Sequence, residues 1–254
     1  MQQAMGFTKR GVNIVLCVGC RVITQLGRFA WSFLILQMAD EFSWTRAEQG
    51  AIKAAYAGGY LLTQIPGGVG GARYGNKIFQ CGSVLSSALG LLLVPLLLPI
   101  LDTVPGAPSS AVLAQQVLFF TGMCCGAQMP TATALCKAWT LPTEKAWTSS
   151  ISSIAGVLSS LLSALVVAAL ADAVGWRATM LSLSAISFVY FVAVTIFVTE
   201  SPGSKGAALL ASEATLFRKT NMLVPKQPEA RSPAKAAVGA SGELRQLFTQ
   251  RATW

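Results

Sequence analysis

The residues of this chain with the most chemical potential are cations set inside apolar stretches. Arg21, Arg28 and Lys53 lie where the surrounding sequence carries almost no charge. An ionisable group at membrane depth costs about 2.5 kcal/mol or more on insertion scales, so each needs a reason. Two reasons compete. A long basic side chain can snorkel to the interface, or it can line a water-filled cavity and attract an anion. Arg21 suits snorkelling, Arg28 suits the cavity, and Lys53, near the end of its stretch, leans to the cavity. Lys53, Tyr56, Tyr60 and Gln64 recur at spacings of three, four and four, which puts them on one helical face. Such a polar face turns towards neighbouring helices or towards a cavity. Acid–base chemistry has nothing to use there, because the chain has no His and no carboxylate falls within an apolar stretch. A nucleophilic triad, a phosphate-cradling loop and a metal cluster are also missing from the sequence. Cys17 and Cys20 make a CxxC, but it has no second pair, and a zinc site needs about four ligands. All six cysteines read as small apolar packing residues. The expectation is a non-enzyme with no metal and no cofactor.

The elements that position these residues are long apolar runs. Apolar residues make up 53% of the 254 positions and charged residues only 11%, well under the ~25% of a soluble domain. A spanning helix needs about 20 mostly apolar residues. Six runs qualify: Val12–Met38, Ala51–Gly70, Ile78–Ile100, Ala111–Leu135, Thr148–Leu170 and Ala178–Val198. Their length excludes a barrel, and the short connections predict antiparallel neighbours. The fold class expected is an all-α membrane protein, a bundle of six transmembrane helices.

The net charge of +9 is explained by topology rather than by nucleic acid. With the N-terminus cytoplasmic, the inner loops hold Lys9, Arg10, Arg73, Lys77, Lys137 and Lys145. The outer loops hold only Arg46 and Arg177. Both termini are therefore expected in the cytoplasm. Residues 1–11 read as a cytoplasmic N-terminus, 12–200 as the bundle, and 201–254 as a basic cytoplasmic linker with a short amphipathic stretch at Gly242–Gln250. The linker's cations could touch anionic headgroups, although a solvated linker is the simpler reading.

Packing signals accompany the runs. Gly67, Gly68, Gly70 and Gly71 follow Pro66 and allow close backbone approach, with Arg73, Gly75 and Lys77 just beyond. Gly122 and Gly126 form a GxxxG, and seven serines occupy Ser149–Ser163.

Taken in order, these segments resemble the anion:cation symporter branch of the major facilitator superfamily, which includes vesicular glutamate, type I sodium–phosphate and plastid anion transporters. GRFAWSFLILQMADEFSW resembles the first-helix segment, with Arg28 on the family's Arg. GAIKAAYAGGYLLTQIPGG resembles the second helix. GGARYGNK resembles the loop motif, at Gly68, Arg73, Gly75 and Lys77. MPTATALCKAWTLPTEKA resembles the junction of helices four and five, at Pro130, Trp139, Pro142, Glu144 and Lys145. GWRATM resembles the opening of helix six. The resemblance implies the N-terminal half of a transporter built from two six-helix bundles, with a small anion bound between them and access alternating by rocking. It carries the family's anion-binding role to Arg28, and the polar face of the second helix adds Lys53, Tyr60 and Gln64 as expected substrate residues; Na+ or H+ is the possible coupling ion, and inorganic phosphate or an organic anion the implied cargo. Lys53 stands where vesicular glutamate transporters have a His. The chain departs from the family in the fourth helix, where Leu118 and Cys125 replace an Arg and a Glu. It ends at LFTQRATW, which resembles the lead-in to a seventh helix, so a second half or a second copy is the expected partner. The alternative is a transport-incompetent half acting as a membrane partner or regulator, or a degenerate product. A carrier of uncharged solutes fits the Arg28–Lys53 pair poorly.

Overall fold

The protein, as a computed structural model, is described over residues 9–102, 109–141 and 144–200, in helices and short connections. Pro142, the first eight residues and the expected linker 201–254 lie outside the described residues.

The first helix, α1 (Lys9–Phe42), is 34 residues long. At about 1.5 Å per residue it is longer than the hydrocarbon core is thick. Helix α2 (Arg46–Tyr74) starts at a capping box. Thr45 Oγ1 accepts from the Glu48 N–H at 3.3 Å, and the Glu48 carboxylate accepts from the Thr45 N–H at 2.8 Å. These bonds favour the ionised carboxylate and hold the Glu48 pKa below its usual range. The helix begins five residues before its apolar run and continues through Pro66. Helix α3 (Asn76–Asp102) also tolerates prolines, at Pro95 and Pro99. The fourth apolar run is two helices, α4 (Ser110–Cys125) and α5 (Gln128–Trp139). Pro130 explains the break: it has no N–H for the Gly126 carbonyl, and it falls in the first turn of α5, where donors are unpaired anyway. Helix α6 (Lys145–Leu162) passes through a π-helical turn, Ser163–Val167, into α7 (Ala168–Phe197). Gly175 breaks α7 at φ 81°, ψ 163°. Only glycine adopts that backbone without strain.

Side-chain contacts reveal the path of the chain. Arg10, at the start of α1, pairs with Glu144 before α6. Glu41, at the other end of α1, pairs with Arg177 just after the Gly175 break. Asn13 accepts from the Thr199 N–H at 2.8 Å, beyond the end of α7. Residues 145–174 therefore run from the Arg10 end to the Glu41 end, and residues 176–197 run back. Trp44 Nε1 donates to Ser110 Oγ at 2.9 Å, so α4 starts at the Glu41 end. Arg10 Nε donates to the Trp139 carbonyl at 3.1 Å, so α5 finishes at the Arg10 end.

Among the described residues, four helical runs are long and apolar enough to cross a membrane: Arg10–Phe42, Asn76–Ile100, Ser110–Trp139 and Lys145–Phe197. Glycines, Gln64 and Lys53 lower the hydropathy of α2. Large apolar side chains cover the outside, among them Leu61, Leu62, Ile65, Val157, Leu161, Leu165, Val189 and Ile196. Such a surface needs lipid rather than water. This is a multi-pass membrane protein.

Inside, one apolar cluster near the Glu41 end joins Trp31, Leu34, Met38, Trp44, Ile52, Leu118, Trp176 and Met180. A second, near the Arg10 end, joins Cys17, Cys20, Val84, Leu135, Cys136 and Val194. Thr24 and Gln128 lie between them, with Gln128 Nε2 donating to Thr24 Oγ1 and, at 3.1 Å, to the Cys20 carbonyl. Helices α2 and α4 meet backbone to backbone. A Cβ on Gly59 would sit 2.2 Å from the Phe119 carbonyl oxygen, and one on Gly122 would sit 2.3 Å from that of Tyr56. Thr63 Oγ1 fixes the register by donating to the Met123 carbonyl at 2.6 Å.

Candidate functional site

Helix α1 presents Arg28 opposite the aromatic step of α2. The guanidinium carbon lies 5.3 Å from the Tyr56 ring centroid and 5.8 Å from that of Tyr60. The α2 spacing produces this platform: Tyr56 and Tyr60, four apart, stack at 6.3 Å with an 18° interplanar angle. A cation over an aromatic face gains about 0.5–1 kcal/mol at an exposed site. Phe29 adds a third ring at 5.8 Å. Arg28 is exposed, whereas Tyr56 is buried. The two ion pairs among the described residues are Arg10–Glu144 and Arg177–Glu41, so none of the described carboxylates pairs with Arg28. The arrangement leaves a positive, planar, bidentate donor on an aromatic floor, a shape that suits carboxylates and phosphates.

The other predicted substrate residues sit around this step. Lys53 is exposed one turn before Tyr56, with no hydrogen bond or ion pair among the described residues. Gln64 is half-buried one turn beyond Tyr60. The structure thus brings Arg28, Tyr56 and Tyr60 together, with Lys53 and Gln64 flanking them on α2. The two family departures lie under the same step. Leu118 and Cys125 are buried in the apolar cluster that contains Tyr56. Cys125 Sγ lies 3.7 Å from Ser86 Oγ and contacts the Ser83 carbonyl at 3.6 Å. Packing occupies both positions.

At the Arg10 end, the loop-motif residues form a second constellation. Gly68 packs on Pro130, where an added Cβ would meet the proline ring at 3.3 Å. Gly75 has φ 108°, and its α face is filled by the Glu200 carboxylate. That carboxylate accepts from the Asn76 N–H at 3.3 Å and from the Lys77 N–H at 2.7 Å, capping α3. Lys77 Nζ donates to the Thr195 carbonyl at 2.8 Å. Arg73 is exposed, with its guanidinium 5.4 Å from the Tyr74 ring. Trp139 is fully buried and donates Nε1–H to the Thr199 carbonyl at 2.9 Å. Glu144 holds Arg10, and Gly126 lies against Tyr60 and Thr63 of α2. The loop motif is therefore tied to the end of α7.

Sequence reasoning missed Glu200, Asn13 and Arg10 as parts of this clasp. Glu200 carried a signal: a carboxylate just past the C-terminus of α7 opposes that helix's dipole, so a different helix N-terminus is the natural partner. Arg21, expected to snorkel, has a partner on a neighbouring helix. Its Nη1 donates to Ser152 Oγ of α6 at 3.2 Å, and its Nε is buried.

The Major Facilitator Superfamily profile matches residues 17–254. The chain is similar to several curated plant proteins. It is 31% identical over 139 residues to "Probable anion transporter 4, chloroplastic" of Oryza sativa subsp. japonica, covering 55% of this chain and 22% of that one. It is 25% identical over 196 residues to "Ascorbate transporter, chloroplastic" of Arabidopsis thaliana, covering 77% and 35%. It is 24% identical over 230 residues to "Sodium-dependent phosphate transport protein 1, chloroplastic" of Arabidopsis thaliana, covering 91% and 42%. The matches thus span less than half the length of these relatives. The profile over almost the whole chain, the lipid-facing helical bundle and these relatives converge: the chain belongs to the Major Facilitator Superfamily, and the anion:cation symporter family fits it.

Proposed function

We propose that this chain is the N-terminal half of an alternating-access secondary transporter for a small anion, either inorganic phosphate or an organic anion. The observation that carries this is Arg28, an exposed guanidinium with no carboxylate partner among the described residues, laid over Tyr56 and Tyr60. Relatives named for anion, ascorbate and sodium-dependent phosphate transport support the cargo class. In this reading the α4–α5 rod crosses once and the α6–α7 run crosses twice, folding back at Gly175. With α1, α2 and α3 that makes six crossings, and the Arg10 end with both termini faces the cytoplasm. Arg28, Lys53, Tyr60 and Gln64 then line one wall of a central cavity. A second six-helix half, or a second copy, supplies the opposite wall. Coupling to Na+ or H+ would be carried by residues other than Leu118 and Cys125. The glycine-rich loop and its Glu200 clasp act as the inner hinge and gate.

The test is uptake of phosphate and dicarboxylates into proteoliposomes holding the chain together with a complementary half. Replacing Arg28 by Ala is expected to lower uptake at least tenfold. Equal uptake by both proteins sinks the role of Arg28. A second reading, a transport-incompetent half acting as a membrane partner, is favoured by the burial of Leu118 and Cys125 as packing residues. It predicts no uptake in any pairing, together with retained binding of a membrane partner.

A further inference from the structure

Arg21 lies seven residues before Arg28, two helical turns or about 10 Å away on the same stripe of α1. It borders a pocket of about 160 Å³ between α1, α5 and α6. Lys137 and Lys145 line the same pocket from the ends of α5 and α6, and Ser149, Ser152 and Ser153 line it with hydroxyls. None of the lining residues is acidic. The nearest carboxylate in sequence, Glu144, is engaged by Arg10. Ser152 Oγ accepts from Arg21, which leaves the serine's own O–H free to donate. Arg21 Nε is buried without a hydrogen-bond partner among the described residues.

A topological excess of positive charge accounts for Lys137 and Lys145 alone, since both are exposed at a helix end. It does not account for a third cation lining the same pocket from within α1, nor for the buried Nε–H that has no partner among the described residues. Leaving such a donor unpaired is destabilising, the more so on a charged group. Three cations border this one pocket, and none of its lining residues carries a compensating negative charge. We propose that this pocket is a second anion site, distinct from the Arg28 step, that takes a phosphate-class oxyanion. Arg21 and the two lysines neutralise it, and the Ser149 and Ser152 hydroxyls donate to its oxygens. The same chemistry recognises a free phosphate and the phosphate of a lipid headgroup. The site does not depend on Arg28 serving as a transport site.

The test uses the purified full chain in phosphatidylcholine nanodiscs and follows thermal unfolding at constant ionic strength. Inorganic phosphate replaces chloride in one arm, and phosphatidic acid replaces part of the phosphatidylcholine in the other. Wild type is compared with Arg28→Gln, alone and combined with Arg21→Gln or with Lys137→Gln/Lys145→Gln. The lysine pair is exposed, so its replacement leaves the core intact even if Arg21→Gln folds poorly. A saturable rise in unfolding temperature of several degrees with phosphate is expected. Arg28→Gln serves as the common background, because it removes any phosphate binding at the other site; the rise should persist in it and be lost when Lys137→Gln/Lys145→Gln or Arg21→Gln is added. The same pattern with phosphatidic acid alone assigns the pocket to a headgroup. No response of wild type to either probe overturns the proposal, as does an equal response of Arg28→Gln with and without the lysine substitutions. Loss of the response in Arg28→Gln alone also overturns it, because the binding then belongs to the other site.

Discussion

At the residue scale, one carboxylate connects parts of the chain that are far apart in sequence. Glu200 caps α3 through the Asn76 and Lys77 amides, while Lys77 Nζ holds the Thr195 carbonyl. The α3 N-terminus favours a negative charge, and the cap satisfies two of its unpaired donors. Replacing Glu200 by Ala is expected to cost about 0.5–2 kcal/mol, the range of a lost helix cap. Glu200→Gln, which keeps an acceptor, should cost less. Thermal unfolding reads the total, and amide exchange at Asn76 and Lys77 localises it. Unchanged protection in Glu200→Ala would show that the cap contributes nothing. The sequence made Arg28, Tyr60 and the loop glycines legible because their cues are local: a charge in an apolar run, a spacing of four, a glycine cluster. Glu200 was not legible as a partner, since its ligands lie more than 120 positions away. The partner of Arg21 was not legible for a similar reason. Whether it snorkels or turns inward depends on Ser152 of α6, which no helical periodicity places beside it.

At the element scale, the runs were legible and their breaks were not. Hydropathy marks where helices lie, but it is blind to the Gly126–Ala127 interruption and to the π-helical turn at Ser163–Val167. Those depend on one missing proline donor and on local packing. The glycines that matter are likewise indistinguishable by type. Gly122 faces the Tyr56 carbonyl at 2.3 Å for an added Cβ, whereas Gly82 of α3 has nothing within 4 Å. Contrasting outcomes follow. Gly122→Ala forces α2 and α4 apart and should destabilise by about 1–3 kcal/mol or more, as overpacking does. Gly82→Ala fills open space and removes backbone freedom, so it should be neutral or stabilising by up to about 1 kcal/mol. Unfolding of both variants in the same detergent decides the matter. Equal midpoints would mean that the backbone contact between α2 and α4 has no energetic weight.

At the scale of the whole molecule, the contacts and the charges make one joint prediction about direction. The ion pair Arg10–Glu144, the Glu200 cap and the Lys77–Thr195 bond gather at one end of the bundle. Glu41–Arg177 and Trp44–Ser110 gather at the other. The basic loop residues sort the same way: Arg10, Arg73, Lys77, Lys137 and Lys145 at the first end, Arg46 and Arg177 at the second. Loop cations are retained on the cytoplasmic side during insertion, so the Arg10 end should face inward. Single cysteines test this in a background without the six native ones. A membrane-impermeant maleimide applied to sealed, right-side-out vesicles should label Arg46→Cys and Arg177→Cys. It should leave Lys77→Cys and Lys145→Cys unlabelled until the vesicles are opened. The pair Lys145 and Arg177 is decisive, because Lys145 begins the continuous helical run Lys145–Phe197 and Arg177 follows its break at Gly175. Labelling of both from the same side would mean that the fold-back at Gly175 does not carry the chain through the bilayer. The six-crossing reading would then fail along with the orientation.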